Sequence, residues 1–261
     1  MAQKAQDPRR QKTKARSAKG RPSSRPRSGR SLPAKPKSGN KGAVVGRRDE
    51  IVQIAAKLFA ERGFIATTIR DIADEAHIQS GSVFHHFDTK DEILHEVVRD
   101  AIALIRNKTL QIAKLDCDAE LKVGALVLLD LDVHAKDHQA HSILYNERRF
   151  LRRKRGFEYV AFAKGDMFLA WRTVLQEGID GGLFKRDLDI FLTLTTINRM
   201  LNTCADWLIQ DRAFEDGGKL YELDEIIDFN LQFVMSAIRA PDRISLPIPR
   251  REFVKIIERL E

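Results

Sequence analysis

Apolar residues recur at helical spacing from Arg47 onward and almost nowhere before it. Ile51, Ile54, Ala55, Leu58 and Phe59 fall at i, i+3, i+4, i+7 and i+8, one stripe of an amphipathic helix. Gly63 can take the left-handed conformation that stops a helix, with Phe64 folding back behind it. Thr67-Thr68 offers an N-cap for a short second helix whose inward face is Ile69, Ile72, Ala73 and Ala76. Asp71, three residues after Thr68, suits the positive end of that helix. His77-Ile78-Gln79 then breaks the pattern, and a third short helix runs from Ser80 to about His86, with Val83 and Phe87 inward. Thr89-Lys90-Asp91-Glu92 reads as a capping box. It opens a long helix through Ile93, Leu94, Val97, Val98, Ile102 and Ile105 that continues to about residue 115.

The remainder reads helical as well, with no strand-like alternation and no glycine-rich phosphate loop. Helices are expected near 119–136, 141–153, 157–180, 188–209 and 223–239. Gly178, Gly181 and Gly182 stop the third of these, and Gly217-Gly218 lies in the loop before the last. Prolines 241, 247 and 249 lead into Phe253, Ile256, Ile257 and Leu260, a short amphipathic helix expected to dock on its own body; a membrane-surface role is the outside reading. The pattern predicts an all-α chain. A three-helix helix-turn-helix domain (47–105) precedes a larger helical domain (116–239) and a C-terminal extension (240–261).

Charge divides the chain differently. Of 261 residues with a formal net charge of +8, residues 1–48 hold 16 Lys or Arg and one acid, Asp7, so the rest of the chain carries −7. The first 46 residues contain five Pro, five Gly and six Ser, and Leu32 is the only large aliphatic residue between Met1 and Val44. Such a stretch buries too little apolar surface to offset ordering, so residues 1–46 are expected to form a disordered basic tail. A signal sequence would need a continuous apolar run, and a transit peptide an amphipathic helix that these prolines prevent. The tail suits a polyanion, or serves only as a solubilising extension. No apolar run reaches membrane-spanning length. Cys117 and Cys204 lack the spacing of a disulfide scaffold or a paired-cysteine zinc site, which fits a reducing cytoplasm.

Thr67-Thr68-Ile69-Arg70-Asp71-Ile72-Ala73, followed by Gly81-Ser82-Val83-Phe84-His85-His86-Phe87-Asp88-Thr89-Lys90-Asp91-Glu92, resembles the tetracycline-repressor (TetR) family over residues 47–105. Spacing, caps and inward residues agree together. The order of helices over residues 117–239, including Gly182-Leu183-Phe184 before Asp187-Leu188-Asp189, is similar to that family's effector-binding and dimerisation domain. Phe84 stands where the family usually has Tyr, whose hydroxyl commonly touches a phosphate. His77 occupies a turn position often held by Gly, and histidine tolerates positive φ better than most residues.

The resemblance implies a homodimeric, ligand-responsive repressor of a palindromic DNA operator, and no enzyme or cofactor. Gln79, Ser80, Ser82 and His85 would face base edges in the major groove, with Gly81 allowing close approach. Thr68 and Lys90 would hold phosphates, and Arg70 and Phe84 belong to the same DNA-facing set. Yet residues 47–96 carry six basic and ten acidic side chains, so the basic tail is expected to supply much of the non-specific attraction.

Three clusters in the larger domain bear on the effector. Arg148, Arg149, Arg152, Arg153, Lys154 and Arg155 form either a solvated helix end or a landing site for a phosphorylated effector of the acyl-coenzyme A type, with Arg152 and Arg155 as the candidates. Phe162, Met167, Phe168, Trp171, Met200 and Trp207 could line a pocket for a small hydrophobic effector, with Phe168 and Trp171 foremost, or simply form core. His134, His138 and His141 stand at i, i+4 and i+7. On a continuous helix they would share a face, which leaves open a metal-responsive regulator, but Lys136 to Ala140 reads as a helix junction, which makes them ordinary surface. From a different class, a non-specific architectural nucleic-acid protein driven by the tail also fits the charge.

Overall fold

The structure is a computed structural model that describes residues 46–207, 222–241 and 248–260, with side chains omitted at 204–207. The chain divides into two units, Met1–Val44 and Val45–Glu261, and the described residues all belong to the second. The basic tail, the Gly217-Gly218 loop and the side chains of Cys204 and Trp207 therefore lie outside the described residues.

Among the described residues there are eleven helices. α1 (Arg47–Arg62), α2 (Ile69–Glu75) and α3 (Ser80–Phe84) form the helix-turn-helix end, and α4 (Lys90–Ala113) runs from it into the larger part. There follow α5 (Ala119–Lys136), α6 (His138–Asn146), α7 (Arg148–Arg153), α8 (Glu158–Asp180), α9 (Ile190–Trp207), α10 (Leu223–Ile238) and α11 (Arg250–Glu258). The one extended pairing described is a bridge between Phe184 and Arg239.

The apolar stripe of α1 is buried as its period requires: Ile51, Ala55, Leu58 and Phe59 close against Ile72, Val83, Phe87, Ile93 and Leu94. Gly63 ends α1 at φ 83, ψ 152, so its positive φ is extended rather than left-handed helical. Thr68 makes a full capping box with Asp71. The second box is shifted: the Thr89 hydroxyl accepts from the Glu92 amide, but the Glu92 carboxylate reaches back to the amide of Asp88, one residue earlier than expected.

α5 is the central strut of the larger part, packing on α4, α8, α9, α10 and α11. It is buried nearly all round, which explains its run of Leu and Val. Two buried charges on it are paired, Lys122 with Glu177 at 2.7 Å and Glu120 with Arg239 through two hydrogen bonds of 3.1 and 3.2 Å. α11 packs on α5 through Phe253, whose ring lies where a Cβ on Gly124 would fall. The single helix expected over 141–153 is two helices. The chain breaks at Glu147, whose carboxylate is drawn to the amide of Phe64 at 3.0 Å. Among the described residues no helix is long and apolar enough to cross a membrane.

Candidate nucleic-acid interface and ligand cavity

The turn between α2 and α3 depends on His77, the one non-glycine described residue with positive φ, at 54°. That turn directs α3 so that Val83 and Phe87 are buried while Gln79, Gly81, Phe84 and His85 are exposed and Ser80 and Ser82 half-buried. Phe84 leaves 53% of its surface exposed, a large apolar side chain beside four polar ones. Arg70 is exposed on α2, within 3.7 Å of Asp74, a contact that water screens and that leaves the guanidinium available.

Two residues expected at phosphates have internal partners. The Thr68 hydroxyl accepts from the Asp71 amide at 3.1 Å and donates to the Asp71 carboxylate at 2.6 Å, and that hydrogen bond holds the Asp71 carboxyl below its usual range. Lys90 turns inward as well. Its Nζ donates to the carbonyls of Phe64 at 2.7 Å and Thr67 at 2.5 Å and lies 4.3 Å from the centre of the Phe64 ring. Burial accordingly lowers the pKa of its ammonium. The neighbouring Thr67, fully buried, donates its hydroxyl to Gly63 O at 2.9 Å. Lys90 and Thr67 together hold the connection between α1 and α2, a role invisible while their partners were unknown.

The larger part contains a cavity of about 610 Å³ walled by α4 to α9. Its apolar surface includes Ile102, Leu129, Met167, Phe168, Trp171 and Leu194. Phe168 and Trp171 line the cavity, whereas Phe162 projects outward with 72% of its surface exposed and Met200 does not line it. Arg148, Arg149, Arg152, Lys164 and Arg199 line it as well, against a single acid, Asp130. Arg155 does not. α7 is only six residues long, and the turn after it, with Gly156 at φ 91, takes Arg155 out to solvent.

Sequence reasoning missed Tyr145, Lys164 and Arg199. Tyr145 is stacked under the Arg148 guanidinium at 4.9 Å, and its hydroxyl accepts from Arg199 at 2.9 Å. The Lys164 ammonium donates to Leu144 O at 2.8 Å and is held down to about 8 by burial, with Arg148 adding a smaller push. A lysine within an otherwise apolar helix face was the available signal.

The three histidines do not share a helix face. α5 ends at Lys136 and α6 starts at His138, with Asp137 between them at φ −135, ψ 64. This break brings the rings of His134 and His141 to 4.7 Å and leaves His138 off the cavity wall. Among the described residues no group of three or more His, Cys, Asp or Glu side chains could hold a metal ion. His141 is buried, and burial followed by the neighbouring His134 lowers its pKa, which keeps the ring neutral.

The helix-turn-helix end is tied to the cavity wall through α7 and its flanks. Glu147 accepts from Phe64 N, the Phe64 and Phe150 rings are 5.1 Å apart, and Lys154 pairs with Asp91 at 2.6 Å. Arg148, Arg149 and Arg152 of the same short segment face the cavity.

Comparison with known proteins agrees with this layout. The family described as bacterial regulatory proteins, tetR family, matches residues 51–97, and the tetracyclin repressor-like C-terminal domain matches residues 116–235. The transcriptional repressor KstR2 of Rhodococcus jostii strain RHA1 is 34% identical over 75% of this chain and 93% of its own length. KstR2 of Mycolicibacterium smegmatis is 33% identical over 67% of this chain and 82% of its own length. A solved structure, described as the ketosteroid transcriptional regulator KstR2 of Mycobacterium tuberculosis, superposes with a TM-score of 0.65 at 29% identity, covering 76% of this chain and 98% of that one. These relatives are transcriptional regulators, not enzymes. With both halves of the family pattern matched and the helix-turn-helix in place, the chain belongs to the tetR family of bacterial regulatory proteins and is a helix-turn-helix transcriptional repressor similar to KstR2.

Proposed function

We propose that this repressor is a cytoplasmic homodimer that holds a palindromic operator through α3 and releases it when an acyl-coenzyme A thioester enters the cavity. Gln79, Ser80, Ser82 and His85 read base edges, Gly81 lets the helix approach, and Phe84 packs on thymine methyls or sugars. Arg70 and the amide end of α2 near Thr68 contact phosphates, while Lys90 keeps the connection between α1 and α2 in place. Phe229 and Phe233, stacked at 6.0 Å with 59% and 51% of their surfaces exposed, carry the subunit contact together with Phe191 and Leu192 of α9.

The observation that carries ligand response is the double use of the α7 segment. One side offers guanidinium groups to the cavity, and its flanking residues grip the helix-turn-helix end. An anion drawn to Arg148, Arg149 and Arg152 can therefore shift the α6–α7 break, and with it the amide of Phe64. It changes the spacing of the two reading helices only as far as it binds one spacing better than the other. The excess of cations on an otherwise apolar wall supports a ligand with an anionic head and a hydrophobic body, and the description of the M. tuberculosis relative as a ketosteroid regulator is the reason to include a steroid body among those tested.

The test uses the full chain on a fluorescent duplex selected from random sequence. It is titrated with dodecanoyl-coenzyme A, a steroid-derived acyl-coenzyme A, coenzyme A and dodecanoate. Release by a thioester, weakened in Arg152→Ala and unaffected in Arg155→Ala, is expected. Release by none of the four contradicts the effector assignment.

A further inference from the structure

Most polar groups around His134 are paired with one another. His134 Nδ1 meets the main-chain oxygen of Asp130 at 2.5 Å, its Nε2 faces Asn202 Oδ1 at 3.3 Å, and Asn202 Nδ2 donates to Asn198 O at 2.7 Å. His141 donates through Nδ1 to Asp137 O at 2.8 Å. A main-chain oxygen only accepts, so this contact fixes the proton on Nδ1 and leaves a lone pair on Nε2. That Nε2 is buried without a partner on a side chain only 5% exposed, and Asp130 Oδ2 is buried without one too. Both residues line the cavity. His134 Nδ1 comes no closer than 3.9 Å to Asp130 Oδ2 and is turned to Asp130 O, so two acceptors on one wall go without a hydrogen bond, which is costly to bury and specific in what it accepts.

We infer that Asp130 and His141 form a subsite for a hydroxyl group on the buried body of the effector, so that the cavity selects hydroxylated acyl thioesters over plain or keto ones. This rests on the reading of the cavity as a thioester site. A hydroxyl donates to either acceptor. A ketone oxygen would face two lone-pair-bearing atoms, and a methylene would leave both unmet. Tyr145 lies one helical turn from His141 and holds Arg148 and Arg199, so the hydroxyl subsite and the cationic groups occupy one continuous wall.

The experiment is calorimetric titration of the full chain with dodecanoyl-coenzyme A, its 8-, 10- and 12-hydroxy derivatives and the 8- and 10-oxo analogues. At least one hydroxy compound is expected to bind about tenfold or more tighter than the parent thioester. Each oxo compound should bind more weakly than its hydroxy counterpart. His141→Phe should cut the hydroxyl preference, taken as the ratio of hydroxy to parent thioester affinity within the same variant, to about threefold or less. Asp130→Asn, which adds a donor, should improve the oxo compounds relative to the hydroxy ones. Equal binding of all the thioesters overturns the hydroxyl subsite and leaves the effector assignment standing. Binding of none overturns both. The comparison among ligands on the unsubstituted chain decides the matter even if a variant fails to fold.

Discussion

Replacing Lys90 by methionine separates two roles that the sequence alone leaves merged. If the ammonium binds a phosphate, its loss weakens DNA binding and lowers the slope of log K against log salt by about 0.9. If it holds the connection between α1 and α2, the loss falls on stability. The structure favours the second, because Nζ already serves the carbonyls of Phe64 and Thr67 and lies over the Phe64 ring. Hydrogen bonds from charged donors contribute about 1.5–3 kcal/mol each, but Lys90 is only half-buried, so about 1 kcal/mol per carbonyl is the fitting share. The cation–ring contact adds about 0.5–1 kcal/mol, and relief of the desolvated ammonium offsets about as much. The expected loss is about 2 kcal/mol in urea unfolding, and a salt slope on a selected operator duplex that matches the parent. An unchanged midpoint with a slope reduced by about 0.9 would refute this reasoning and restore Lys90 to the phosphates.

Lys164 provides a pH test. Its folded pKa of about 8 lies below the ordinary 10.5, so between those values the unfolded chain holds more protons, and this group adds stability as pH rises through that window. The stability of Lys164→Met minus that of the parent should therefore fall by roughly 2–3 kcal/mol from pH 7 to 10.5, measured by denaturant titration at each pH, and a constant difference would contradict it. Phe253→Ala should cost about 3–4 kcal/mol and Gly124→Ala about 1–3, since an ideal Cβ at Gly124 would stand 2.2 Å from the Phe253 ring. In the Phe253→Ala background Gly124→Ala should become neutral or stabilising by up to about 1 kcal/mol, so additive effects in a denaturation cycle would argue against that packing. Removal of residues 1–44 should weaken binding to all duplexes alike and flatten the salt slope by nearly one unit per lost phosphate contact. An unchanged slope would mean that the tail takes no part.

The helix-turn-helix was legible because its information is local. Apolar spacing, the Thr68 cap and the His77 turn each act within a few residues, and the proposed reading surface occupies one short string from Gln79 to His85. The internal partners of Lys90 were not legible because they lie 23 and 26 residues back, across a turn whose geometry periodicity does not encode. The cavity draws its wall from six helices, so aromatic residues at helical spacing could be core or lining. Phe168 and Trp171 fell inside and Phe162 outside. A shared histidine face needs an unbroken helix, whereas the sequence from Lys136 to Ala140 reads as a junction. The break at Asp137 changed which rings meet: it sets His134 beside His141 at 4.7 Å, each bonded to its own main-chain oxygen, and leaves His138 apart. Arg152 stays at the cavity on α7, whereas the turn after α7, with Gly156 at positive φ, takes Arg155 away, a turn that helical spacing alone does not show.

The proposed repression requires two copies of α3 to read one symmetric site. Nuclease footprinting of the full chain on its own genomic DNA, with the mass of the bound complex measured alongside, tests this directly. A protected palindrome carrying paired subunits, lost in Phe229→Asp/Phe233→Asp and shifted in sequence preference by Gln79→Ala, is the predicted result. Uniform protection of any duplex, or a single subunit per site, would contradict it.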